Sequence, residues 1–221
     1  MAQFRVVDVG SKLGGSAAKY GQNVKSTVFG GPNPKPAQIC CIERAPRYEP
    51  KLKALGFSVL IADVFALAKN DELPYGDVYL ASNMLEHCPC VDASMYLLEK
   101  MMRMSRQGVW LRLPSFEQDE TGEGRLARHN LRFNWTSWRG HWSHFRLAHV
   151  YEALHLLQHQ RPMKIHVSGG RLLHDSNYPN IVPNLDTDEL VNYDPRLHGP
   201  RNHVKFKPPI VGEWDVQIQW T

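Results

Sequence analysis

Three carboxylates close three short apolar runs in the first third of the chain: Asp8 after FRVV, Glu43 after ICCI and Asp63 after FSVLIA. A carboxylate offers two acceptor oxygens, so Glu43 suits the vicinal hydroxyls of a ribose and Asp63 the exocyclic amine of adenine. Asp8 opens into VGSKLGG, where Gly10, Gly14 and Gly15 let the backbone approach a ligand and leave helix amides facing it. Lys12 stands in the middle of that turn, and its ammonium faces either a ligand carboxylate or solvent. A fourth run, DVYLA, leads into Ser82, Asn83, Glu86 and His87. For a hydroxyl acceptor His87 is the natural general base, with a purely structural imidazole as the competing reading.

Farther along, Arg128, Arg132, Arg139 and Arg146 interleave with Trp135, Trp138 and Trp142 and with His129, His141 and His144. No acidic residue occurs from Gly124 to Tyr151. Indoles stack on a sugar or a base, and guanidinium groups pair with phosphate or carboxylate. The segment therefore reads as an acceptor wall of Trp135, Trp138, Arg139, His141 and Trp142. The alternative is core tryptophans beneath a solvated basic face, and burial separates the two.

Short apolar runs alternating with helical patterns predict crossover units on a mostly parallel sheet. Strands are expected over 4–9, 39–42, 57–62, 78–81 and 109–113, with late strands over 164–167 and 216–220. Helices are expected over 14–21, 49–55, 93–105 and 147–159, the first following directly from the glycine turn. The fold class is α/β: a Rossmann-like seven-stranded mostly parallel sheet, helices on both faces, and an antiparallel late strand. In such a sheet ligands bind at the carboxyl ends of the strands, where Asp8, Glu43 and Asp63 all lie. The whole chain, 1–221, reads as one domain. It carries a variable acceptor-binding segment at about 115–146 and a surface arm at about 175–209, the latter rich in Pro, Asn and Asp. SFEQDETGEG reads as a polar loop, and GGPNPKP as a loop inserted between the first two acids.

With these residues in order, the chain resembles the class I S-adenosylmethionine-dependent methyltransferases. VVDVGSKLGG, ICCIER, VLIADV, DVYLASNMLEH and GVWLRLPS carry the resemblance, over roughly residues 4–116. It implies that Asp8, Gly10 and Gly14 hold the methionine part of S-adenosyl-L-methionine, with Lys12 the candidate partner for its carboxylate, and that Glu43 holds its ribose. Asp63 and Val64 would hold the adenine, with Ser82 and Asn83 lining the sulfonium side. His87 and His144 would be the catalytic pair. Two departures stand out: the family usually has a second glycine where Lys12 stands, and Asp8 and Glu43 are unusually far apart in sequence.

The post-fourth-strand segment SNMLEH is also similar to the Glu-x-x-Glu-His motif of metal-assisted O-methyltransferases, with a later histidine in the RNA-directed ones. Here it offers Asn83, Glu86, His87 and His144, and Asn in place of Glu weakens a hard-metal site. A metal-free site is the expectation, with a divalent cation left as an option. The rivals to a methyltransferase of a small polar, carbohydrate- or nucleotide-containing acceptor are a nucleic-acid methyltransferase and a degenerate cofactor-binding module. An NAD-binding α/β domain is the remaining alternative.

Composition bounds the rest. A formal charge of +4 in 221 residues is a mild basic bias that does not by itself predict a nucleic-acid partner. Cys40-Cys41 and Cys88-Pro-Cys90 match neither zinc-knuckle nor redox spacing, so reduced, buried thiols are expected. No leader and no membrane-length apolar run is apparent, which makes cytoplasmic, membrane-free residence the expectation. Oligomeric state is not legible.

Overall fold

The computed structural model describes residues 5–19, 21–23, 33–157, 161–184 and 191–221. Phe4, Tyr20, residues 24–32 (with them the first three of the GGPNPKP loop), His159 and residues 185–190 of the arm lie outside the described residues. In chain order the strands and helices are β1 (Val6–Val9), α1 (Gly15–Lys19), β2 (Ile39–Glu43), α2 (Glu49–Ala54), β3 (Ser58–Ile61), α3 (Val64–Lys69), β4 (Gly76–Ser82), α4 (Val91–Met104) and β5 (Ser105–Pro114). Then come α5 (Glu123–Ala127), β6 (Leu131–Phe133), α6 (Leu147–Leu157), β7 (Met163–Asp175), β8 (Ile181–Pro183), α7 (Pro195–His198) and β9 (Lys205–Trp220).

Seven strands form one sheet in the order β3-β2-β1-β4-β5-β9-β7. β1 to β5 run parallel, and β9 runs antiparallel to both its neighbours. Alternate side chains enter opposite faces of the sheet. Val7, Val9, Tyr79 and Ala81 pack with α3, α4 and α6, whereas Val6, Val78 and Leu80 pack with α1 and α2. Burial on both faces explains why these strands read as unbroken apolar runs. The chain order reverses at β1, which has β2 on one side and β4 on the other. That pairing fixes the crevice: Val9 lies opposite both Ile42 and Ala81.

Local differences from expectation have local causes. Residues 64–69 form a helix absent from the sequence-based expectation. Its signal was Asp63, whose carboxylate accepts from the amides of Phe65 and Ala66 as an N-cap. The SFEQDETGEG loop gives way to α5 at Glu123.

The arm is not only surface. Ile181 and Val182 of β8 are buried, and β8 pairs with β6 in a second, two-stranded sheet. β9 begins at Lys205, well before the expected strand, and carries Pro208 and Pro209 at a register shift in its pairing with β7. Prolines in a run argue against a strand, which hid this extension. A third apolar cluster joins Phe116, Leu126, Phe133 and Trp135 to Leu173, Ile181, Phe206 and Ile210. It knits the variable segment and the arm over the sheet's carboxyl edge. No helix among the described residues is long and apolar enough to cross a membrane.

Candidate functional site

At the end of β1 the backbone turns through three left-handed residues: Gly10 (φ 71), Lys12 (φ 47) and Gly14 (φ 80). Gly10 has a steric reason as well. A Cβ there would meet Met84 Cγ at 2.8 Å, so the bend lies directly against the segment after β4. Lys12 adopts a conformation that glycine accepts freely, and its amide donates to Oε2 of Glu43 at 2.8 Å. Oε1 of Glu43 accepts from the Ala45 amide, also at 2.8 Å. Each of these oxygens keeps a second lone pair, so the carboxylate is held in place and can still take a diol.

Asp8 is fully buried. Ser16 donates to its Oδ2 at 2.8 Å, and its Oδ1 has no partner among the described residues. Burial pushes its carboxyl up to about 7, against the hydrogen bond from Ser16. Asp63 follows β3, and the amide of the preceding Ala62 donates to the Glu43 carbonyl at 3.1 Å. Its Oδ1 caps α3 and its Oδ2 stands 3.8 Å from Arg44. Val64 is buried in the core beneath. Ser82 and Asn83 are half-buried at the tip of β4. Asn83 is left-handed (φ 50), its amide donates to the Arg112 carbonyl at 2.9 Å, and its Oδ1 is buried without a partner among the described residues.

Beyond Met84, Glu86 and His87 meet the loop from the variable segment. Ligating atoms of Glu86, His87 and His141 lie within 4.8 Å of one another. The His87 Nδ1 donates to the Gly140 carbonyl at 2.8 Å, and the His141 Nδ1 to the Trp135 carbonyl at 2.9 Å. A carbonyl cannot donate, so in both neutral rings the lone pair is on Nε2. The amide of Ser143 donates to the Glu86 carbonyl at 3.1 Å, closing loop and motif onto each other. Glu86 is 1% exposed and its Oε2 has no partner among the described residues.

Burial pushes the Glu86 carboxyl up to about 8, with the Lys12 ammonium pulling it down. Burial lowers His87 as well, and pushes His141 down to about 4. At neutral pH the cluster therefore pairs a protonated acid with two unprotonated imidazoles. This separation of acidities suits proton transfer.

The remaining expected residues divide by burial. Trp135 is core, not wall: it is 6% exposed, stacks on Phe133 at 4.3 Å and donates its indole N–H to the Ser115 carbonyl at 3.0 Å. Trp138 stands edge-on to His87 at 5.4 Å and to His141 at 4.6 Å. Arg139 is exposed, and Trp142 is 65% exposed. His144, expected beside His87, instead stacks on Phe116 at 4.8 Å, and His141 takes that place. Of the four cysteines, all free, Cys41 and Cys88 are buried, Cys40 is half-buried and Cys90 is exposed.

No protein-family model and no curated protein matches this sequence. Solved structures do. A SAM-dependent methyltransferase from Archaeoglobus fulgidus superposes with a TM-score of 0.55 at 12% identity, over 100% of this chain and 87% of that one. The plantazolicin methyltransferase BamL, solved with a desmethyl analogue and SAH, gives 0.51 at 11% identity, over 100% of this chain and 78% of its own. The magnesium protoporphyrin IX methyltransferase of Synechocystis with bound SAH gives 0.51 at 7% identity, over 99% and 74%. The chain thus carries the fold of the class I S-adenosylmethionine-dependent methyltransferases.

Proposed function

We propose that this protein is an S-adenosylmethionine-dependent methyltransferase acting on a hydroxyl of a small polar acceptor that contains a sugar or nucleotide. One observation carries the reading: Glu43 is hydrogen-bonded to the glycine bend, and that bend abuts the segment bearing Glu86 and His87. The ribose-type acid, the close-approach turn and the proton-transfer cluster thereby share one edge of the sheet. When bound, the cofactor supplies an electrophilic methyl group on a sulfonium.

Asp8, Gly10, Lys12 and Gly14 would hold its amino-acid end, Glu43 its ribose, Asp63 and Val64 its adenine. Ser82 and Asn83 would border the sulfur. The acceptor would lie between Trp138 and the exposed Trp142, with Arg139 facing any phosphate or carboxylate. His87 Nε2 would take the hydroxyl proton as the oxygen–carbon bond forms and the carbon–sulfur bond breaks. Alignment supplies most of the remaining acceleration.

The donor set also fits a divalent transition ion. Two imidazoles and a carboxylate converge, each ring donates through Nδ1 to a backbone carbonyl, and Glu86 Oε2 is buried without a partner among the described residues. Glu86, His87 and His141 would hold the ion, and its chemistry would be to acidify the acceptor hydroxyl in place of a histidine base. Calorimetric titration with S-adenosylmethionine and its demethylated product tests the main reading, and absence of binding would refute it. Titration with cobalt(II), followed by its visible absorption in native protein and in Glu86→Gln, tests the ion separately. Oligonucleotide binding that weakens steeply with salt would favour a nucleic-acid acceptor instead.

A further inference from the structure

We propose that Glu123 is a positioning residue for His141, acting through the turn from Phe133 to Thr136. His141 is the member of the cluster that needs such help. Glu86 and His87 follow β4 directly and are clamped by the start of α4, where Ser94 Oγ donates to the Leu85 carbonyl at 2.8 Å. His141 comes from a stretch, residues 134–146, that belongs to no helix or strand. Its imidazole direction is set by one hydrogen bond, to the Trp135 carbonyl.

Glu123 brackets that carbonyl. Its two carboxyl oxygens accept from the Phe133 amide at 3.2 and 3.3 Å, and Oε2 accepts from Thr136 Oγ1 at 3.0 Å. Trp135 lies between the two anchored residues, and Thr136 N donates back to the Phe133 carbonyl at 3.3 Å, closing the turn. Glu123 is 6% exposed at the start of α5. That helix is itself tied down by Arg125, which donates to the carbonyls of Lys207 and Pro208.

A buried carboxyl is costly unless its hydrogen bonds are made, and the partners it has here are the two ends of one turn. The Trp135 indole holds the same turn independently, through the Ser115 carbonyl. Its side chain fixes where the residue sits, and Glu123 fixes how the peptide carrying the carbonyl is rotated.

The catalytic consequence rests on the proposed function, but the positioning itself is read without turnover. In nitrogen-15 NMR of the imidazoles, native protein should show His141 protonated on Nδ1. Glu123→Gln should keep that state, because Gln accepts from the Phe133 amide and the Thr136 hydroxyl can reverse to accept from its NH2. Glu123→Ala should populate both tautomers. Turnover should fall at least ~10-fold, with affinity for the demethylated cofactor unchanged. Thr136→Val, which removes a single bond, should give an intermediate spectrum and covers the case in which the alanine variant fails to fold. If His141 stays on Nδ1 in the folded alanine or valine variants, Glu123 is packing and the inference is wrong. Failure of native protein to bind cofactor would instead strike the proposed function and leave the spectra to decide this point.

Discussion

The amide of Lys12 reaches 2.8 Å to Oε2 of Glu43, joining the bend after β1 to the acid that ends β2. The residue that breaks the expected glycine pattern is thus also the one that holds the ribose-type carboxylate, and it does so through its backbone. Substitution of Lys12 should spare this bond. Lys12→Gly also relieves a left-handed backbone that costs an L residue about 1 kcal/mol, so the thermal midpoint should hold or rise. Glu43→Ala, by contrast, should abolish the rise in melting temperature produced by S-adenosylmethionine. At 100-fold excess over Kd that rise corresponds to about 2.7 kcal/mol in native protein. An undiminished shift in Glu43→Ala would show that the ligand is held elsewhere.

His87 should separate binding from turnover. Its Nδ1 is committed to the Gly140 carbonyl, which leaves Nε2 toward the cluster. His87→Ala should bind cofactor normally in calorimetry and lose roughly 10²- to 10⁴-fold in kcat, the usual contribution of a positioned base. Full-rate turnover in this variant would remove His87 from the chemistry.

Asp8 should impose a pH dependence on stability. Burial pushes its carboxyl from 3.8 up to about 7. Across that window the folded protein keeps a proton that the unfolded chain has released, so stability falls as pH rises from about 4 to about 7. Glu86 and Glu123, raised to about 8 and about 7, contribute with the same sign. Asp8→Asn should flatten the decline of the thermal midpoint across this range, seen by calorimetry at several pH values. A slope equal to that of the native protein would place the proton on another group.

Metal binding offers a check that needs no acceptor. Two imidazoles with lone pairs on Nε2 favour cobalt(II), manganese(II) or zinc(II) over magnesium(II). Cobalt absorption should be absent in Glu86→Gln and in His141→Ala, yet retained in His144→Ala, since His144 stacks on Phe116 and is not one of the three converging groups. Equal loss in the His144 and His141 variants would dissolve that distinction.

What the sequence determined alone was the framework and its acidic edge. Runs such as VVD and ICCIE are apolar on both sides because both faces of the sheet are covered, and each ends in an acid near the ligand-binding edge. Such periodicity is local, so it survives in one dimension. Tertiary structure decided which of the clustered tryptophans and histidines face that edge. His141 and His144 are three residues apart in a segment with no period to orient them. The choice falls to contacts with distant groups: the Trp135 carbonyl for one ring, the face of Phe116 for the other. Glu123 carries no sequence signal beyond its charge, because Phe133 and Thr136, 10 and 13 residues on, reach it only when β6 folds back against α5. Short-range pattern fixes elements, whereas side-chain direction in an irregular loop is set by long-range packing and hydrogen bonds.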